Sequence, residues 1–160
     1  MNKNNLTNKQ LEDLDSLFDL VSDRQLQDFG NISASNKSDG SLITSCDIWS
    51  DKTIEKALSI IAPNEGVLSE EGTKLVPKTN AYWIVDPLDG TTNFLHGLPH
   101  WAISIALEHK KTIVAGIIYD PIKDELFSAE KGDGAWVNGQ RLRVSNRTTF
   151  QEMLFVTGVP

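Results

Sequence analysis

The sequence predicts an α+β domain in which N-terminal helices pack on an antiparallel sheet. Three observations lead there. Apolar residues recur at helical spacing in two early segments. Short apolar runs rich in β-branched and aromatic residues follow, separated by turn signals a few residues long. The 160 residues, 39% of them hydrophobic, are enough for one sizeable core.

The first helix is expected over residues 7–26, where Leu11, Leu14, Leu17, Phe18 and Val21 form one face. Thr7 and Gln10 fit a capping box, with Leu6 and Leu11 as the hydrophobic staple. It reads as a packing helix without chemistry. Residues 30–36 are small and polar and are expected to form a loop. Asp39-Gly40 marks a turn, and Thr44 or Ser45 caps a second helix carrying Ile48, Ile54, Ala57, Leu58 and Ile61. Asp47 then lies in its first turn, where the helix dipole favours a carboxylate. Pro63, Asn64 and Gly66 end that helix. A short strand from Val67 runs into Glu70-Glu71, a pair that would ordinarily be a solvated surface feature, and residues 72–80 form a polar loop. Strands are expected over 101–107, 112–119, 125–129, 135–137 and 140–144, with Asn138-Gly139 as a two-residue hairpin. Together they suggest an antiparallel meander.

The chain is organised around residues 81–94. Ala81 to Val85 is an apolar run of buried-strand type. Asp86 stands at its end, and Pro87, which has no N–H, is expected to stop ladder pairing. Asp89-Gly90 makes a turn, and Thr91, Thr92 and Asn93 are N-cap candidates for a short helix. Asp-Pro and Asp-Gly are common turn punctuation taken singly. Together, two carboxylates three residues apart on a tight turn, with the Leu88 carbonyl between them, suit a hard cation that prefers oxygen ligands. The Gly90 and Thr91 amides at a helix start suit an anion, and Gly90 lets it approach the backbone.

The run Asp86-Pro-Leu-Asp-Gly-Thr-Thr-Asn-Phe94 resembles the signature of the inositol monophosphatase family of magnesium-dependent, lithium-sensitive phosphatases. Upstream, Lys37-Ser-Asp-Gly-Ser-Leu-Ile-Thr-Ser-Cys-Asp47 is similar to a second family motif, with Cys46 where alanine is usual. Glu70-Glu71-Gly72 resembles a third. The resemblance implies the first domain of a layered α/β/α/β/α sugar-phosphatase fold. It implies that Glu70, Asp86 and the Leu88 carbonyl hold one Mg²⁺ and that Asp86 and Asp89 contribute to a second, in a site of two or three ions. Asp47 and Thr91 would activate water, while Glu70, Leu88, Asp89, Gly90 and Thr91 border the phosphate. The expected reaction is hydrolysis of inositol monophosphate, with histidinol phosphate or another small sugar phosphate as the alternative substrate. A metal-binding or assembly module without turnover is the alternative of another class. By the same resemblance, residues 1–150 form an α+β metal-site domain. Residues 151–160 would begin a C-terminal α/β domain that is otherwise absent, with an apolar strand at 153–157. No Trp-Asp pair, which family members use for the second metal, occurs in the sequence. The expectation is therefore a fragment weak or inactive by itself, and a homodimer is possible within the family.

Composition narrows the rest. A formal net charge of −7 argues against nucleic acid or an anionic membrane as partner, and does not forbid a small phosphorylated alcohol, because bound cations can invert the local field. One cysteine, Cys46, rules out an internal disulfide. The absence of a long apolar segment points to the cytoplasm. His96, His100 and His109 lack the spacing of a zinc site and read as surface or loop residues. Trp83, Trp101 and Trp136 read as packing residues.

Overall fold

The structure is a computed structural model that describes residues 6–156. Helix α1 spans Asn8–Asp28 and α2 spans Ser45–Ile61. Between them lies a hairpin of β1, Ala34–Asn36, and β2, Leu42–Thr44. The main sheet comprises β3 (Gly66–Ser69), β4 (Ala81–Asp89), β5 (Ala102–His109), β6 (Thr112–Asp120), β7 (Glu125–Glu130), β8 (Gly134–Val137) and β9 (Gln140–Arg141), hydrogen-bonded in that order. The short helix α3, Thr91–Leu95, lies between β4 and β5.

Both long helices begin with reciprocal caps. Thr7 and Gln10 close the predicted box on α1. On α2 the capping residue is Thr44, and Asp47 closes the box three residues on. The helices cover one face of the sheet. Leu14, Leu17, Phe18 and Val21 from α1 meet Ile54 and Leu58 from α2 over Trp83, Val85, Ile103, Ile105 and Ile117. A second, smaller core of Cys46, Leu88, Phe94 and Trp101 lies beneath α3. Phe94 meets Trp101 edge-on, with ring centres 5.1 Å apart. Cys46 is fully buried, and burial pushes its thiol up to about 12, so it packs as a small apolar group.

The structure departs from the sequence reading in several places. Residues 34–36 are a strand rather than loop, because turn bonds at residues 37–41 fold them onto β2. β3 runs parallel to β4, so the sheet is mixed and only β4 to β9 form the antiparallel meander. The loop of residues 70–80 returns the chain to the starting end of β3, and parallel pairing follows. β4 continues past Pro87 by a bulge. The final strand ends at Arg141. A 3₁₀ turn forms at Phe150–Glu152, and residues 153–156 have no ladder partner. Residue 157 lies outside the described residues, as do Leu6's predecessors. Asn138 and Gly139, both with positive φ, form the expected hairpin turn.

Ile54 is fully buried between α2 and the sheet, whereas Ile60 on the same helix is 73% exposed. Ile54→Ala should lower unfolding free energy by about 2–5 kcal/mol. Ile60→Ala should change it by less than about 0.5 kcal/mol in urea titrations. Equal losses at both positions would contradict this core assignment.

Candidate functional site

The end of β4 is shaped by a one-residue bulge. Asp86 lies opposite Ser104 and Asp89 lies opposite Ala102, so Pro87 and Leu88 together face the single residue Ile103. Pro87 needs no ladder partner there, and its carbonyl accepts from Gln25 Nε2 at 2.8 Å. Leu88 turns into the small core, and its N–H donates to Asp86 Oδ1 at 3.2 Å. Since Ser104 and Ala102 share a face of β5, Asp86 and Asp89 share one too, the face away from the helices. The chain then turns at Gly90, the N-cap of α3, with φ 95°. A Cβ there would stand 3.1 Å from the His100 carbonyl oxygen, so both conformation and space call for glycine. The cap is thus Gly90, and Thr91, Thr92 and Asn93 lie inside the helix.

Asp47 and Thr91, forty-four residues apart, meet at this corner. Thr91 Oγ1 donates to Asp47 Oδ1 at 2.9 Å and lies 3.3 Å from the Leu88 carbonyl oxygen. Asp47 is 1% exposed, and its Oδ2 accepts from the Thr44 N–H at 2.8 Å and from the Thr44 hydroxyl. These donors compensate the burial of the carboxylate.

Glu70 follows β3 and approaches from the neighbouring strand, its N–H donating to the Val85 carbonyl at 3.0 Å. A cleft of about 460 Å³ opens between Ser69, Glu70, Lys74, Asp86 and Ser104. Burial, then the negative charges of Glu70 and Asp89, push the Asp86 carboxyl up to about 7. Lys37, from the β1–β2 turn, reaches Glu70 Oε1 at 3.3 Å and also pairs with Glu71. Burial disfavours the Lys37 charge, but the bonds to Glu71 and Glu70 outweigh it and raise the ammonium's pKa. Among the described residues, no three His, Cys, Asp or Glu side chains are grouped closely enough to hold an ion as they stand. The donor chemistry nevertheless fits a hard cation. The Asp86 carboxyl, whose proton affinity is raised by burial and by the charges of Glu70 and Asp89, and the Leu88 carbonyl nearby are oxygen donors suited to a hard cation. His96 and His100 are exposed, and His109 is half-buried at the far end of β5, so none joins the site.

The sequence model of the inositol monophosphatase family matches residues 10–160. The chain belongs to this family. It is 43% identical over 138 residues to the inositol-1-monophosphatase of Rhizobium meliloti, covering 84% of this chain and 52% of that relative. It is 38% identical over 140 residues to the Nus factor SuhB of Pseudomonas aeruginosa, covering 86% of this chain and 52% of the relative. Among solved structures, the extragenic suppressor protein SuhB of Bartonella henselae superposes with a TM-score of 0.78 at 42% identity, covering 86% of this chain and 55% of that one. The IMPase of Thermotoga maritima superposes with a TM-score of 0.79 at 31% identity, covering 86% and 54%. The chain therefore spans about half the length of the family members it matches. No helix among the described residues is long and apolar enough to cross a membrane.

Within this family frame, sequence reasoning missed Gln25, Lys37 as a side-chain partner, Asp51 and Ser69. Gln25 carried a signal: it continues the Leu14, Leu17, Phe18 and Val21 face of α1, where a polar residue should stand out, and it is fully buried. Its Nε2 donates to both Ser50 and Pro87, tying α1 to α2 and to the bulge.

The Asp86 carboxyl ordinarily titrates at 3.8 but is held up to about 7 in the fold. The folded state therefore binds the extra proton between those values, and stability falls as pH rises from about 4 to about 7. With chelator present, thermal melts across that range should show the fall, and Asp86→Asn should flatten it. An unchanged slope in the variant would assign the titration elsewhere.

Proposed function

We propose that this chain contributes the N-terminal part of a magnesium-dependent phosphomonoesterase site that hydrolyses a small alcohol phosphate, inositol monophosphate foremost. The observation carrying the reading is the part-buried Asp47–Thr91 hydrogen bond at the end of the strand that carries Asp86 and Asp89, with Glu70 beside Asp86. Glu70, Asp86, Asp89 and the Leu88 carbonyl are the proposed metal ligands, for two or three ions, with lithium as an inhibitor. Magnesium held there would polarise the phosphate and neutralise charge on the leaving oxygen.

The chain's own residues would then manage water and the proton. Thr91 Oγ1 donates its hydrogen to Asp47 Oδ1 and so presents a lone pair to an incoming water. As the water oxygen bonds to phosphorus, its proton passes to Thr91 while the Thr91 proton passes to Asp47. The phosphorus–alkoxy bond breaks, and the alcohol oxygen takes a proton from solvent. The Gly90 and Thr91 amides are the proposed donors to phosphate oxygens, and Glu70 and Asp89 would border the phosphate. Glu71, whose side chain is 6% exposed and paired to Lys37, plays a supporting part beside the more exposed Glu70.

A second reading is an assembly role without turnover. Support comes from the relatives named Nus factor SuhB, at 38% identity in Pseudomonas aeruginosa and 40% in Pasteurella multocida. An acidic chain of net charge −7 would then meet a protein more readily than nucleic acid.

Phosphate release from inositol 1-phosphate, histidinol phosphate and other phosphomonoesters, with magnesium and with or without lithium, separates these readings. Residues 1–160 alone are expected to turn over slowly, because only Glu70, Asp86 and Asp89 are proposed to supply carboxylates to the ions. Joined to the remainder of the Rhizobium meliloti relative, the same sequence should be active. In that chimera Asp47→Asn should cost about 100-fold or more in kcat. Full activity in the variant would reduce Asp47 to a helix cap.

A further inference from the structure

Asp51 is a buried carboxylate that the proposed mechanism does not use. It lies on α2 one turn beyond Asp47 and is 4% exposed. None of the ion pairs among the described residues includes it. Burying an uncompensated carboxylate is expensive, and an apolar residue would pack there more cheaply. Its value must lie in what it holds.

Asp51 holds the start of the Glu70 segment. Ser69, the last residue of β3 and 3% exposed, donates its hydroxyl to Asp51 Oδ1. Gly72 passes so close to Asp51 Oδ2 that a Cβ would collide with it. One turn further along α2, Glu55 Oε1 accepts from Thr73 Oγ1 at 2.7 Å, while the Ser69 N–H donates to the Thr73 carbonyl at 2.9 Å. The chain of residues 69–73 is therefore closed on itself and pinned to α2 at both ends. Glu70 lies between the pins.

We propose that Asp51 is a positioning residue which, through Ser69, fixes where the chain leaves β3 and so sets Glu70 against Asp86. The proposal rests on the reading that Glu70 and Asp86 hold the metal. Asp47 and Asp51 are four residues apart on α2, so a single helix face sets both the water-activating corner and the metal-holding carboxylate.

The test begins with chelated protein, so that it does not depend on metal. Amide hydrogen exchange by NMR should show the Glu70 N–H exchanging about tenfold faster or more in Asp51→Ala and in Ser69→Ala. The β5 amides, which lie in the ladder and report global opening, should be unmoved. Asp51→Asn keeps an acceptor for Ser69 and should restore wild-type exchange. Calorimetric titration with magnesium should then show affinity about 10–100-fold weaker in the two disrupting variants, with non-additive losses in the double variant. Should Asp51→Ala fail to fold, Ser69→Ala tests the same bond from its other end. Unchanged Glu70 exchange in Ser69→Ala would overturn the proposal. A wild-type chain that takes up no magnesium would instead sink the metal reading, and exchange at Glu70 would still decide the role of Asp51.

Discussion

Asp47 has two oxygens, and each bonds to a different helix start. Oδ2 accepts from Thr44 and completes the start of α2. Oδ1 accepts the hydroxyl of Thr91, the first residue of α3. A buried carboxylate is tolerated only when its lone pairs are satisfied, so neither helix start can shift without stranding charge in the interior. That constraint places the Gly90 turn, and through it the end of β4, against α2.

The helices on the covered face therefore do more than shield apolar side chains. Gln25 of α1 holds the Pro87 carbonyl, and α2 holds Thr91, Ser69 and Thr73. The polar groups so engaged come from distant parts of the sequence, yet each bond ends on a residue next to, or within, the acidic corner. The aromatic contacts of Phe94 with Trp101 and Phe29 set the depth at which α3 sits over the small core. Packing fixes the platform, and charge-assisted bonds fix its edge.

Elements whose causes are local were legible in the sequence. The Thr7–Gln10 box, the Thr44 cap, the Asn138-Gly139 hairpin and the apolar strand before Asp86 each announce themselves within a few residues. What eluded the reading depended on pairing across the chain. The β1–β2 hairpin is short and polar, without the alternation that marks a strand. The parallel direction of β3 follows from the route of its connection, which composition does not encode. Pro87 was expected to end the ladder because a missing N–H normally does, whereas the bulge absorbs it. In the site, the motif residues Asp47, Glu70, Asp86 and Asp89 could be named from their runs. Asp51 and Ser69 could not, since an aspartate in a helix and a serine at a strand end are commonplace until they face one another.

The bulge in β4 also changes how spacing should be counted. In an uninterrupted strand, residues three apart point to opposite sides. Here the extra residue restores the parity, and an odd separation behaves as an even one. Spacing in this stretch is consequently tied to the bulge: were residues 86–89 paired as an uninterrupted strand at their present length, one of the two carboxylates would turn into the apolar layer under the helices. At this spacing the irregular backbone is the one that keeps both acids on the same side.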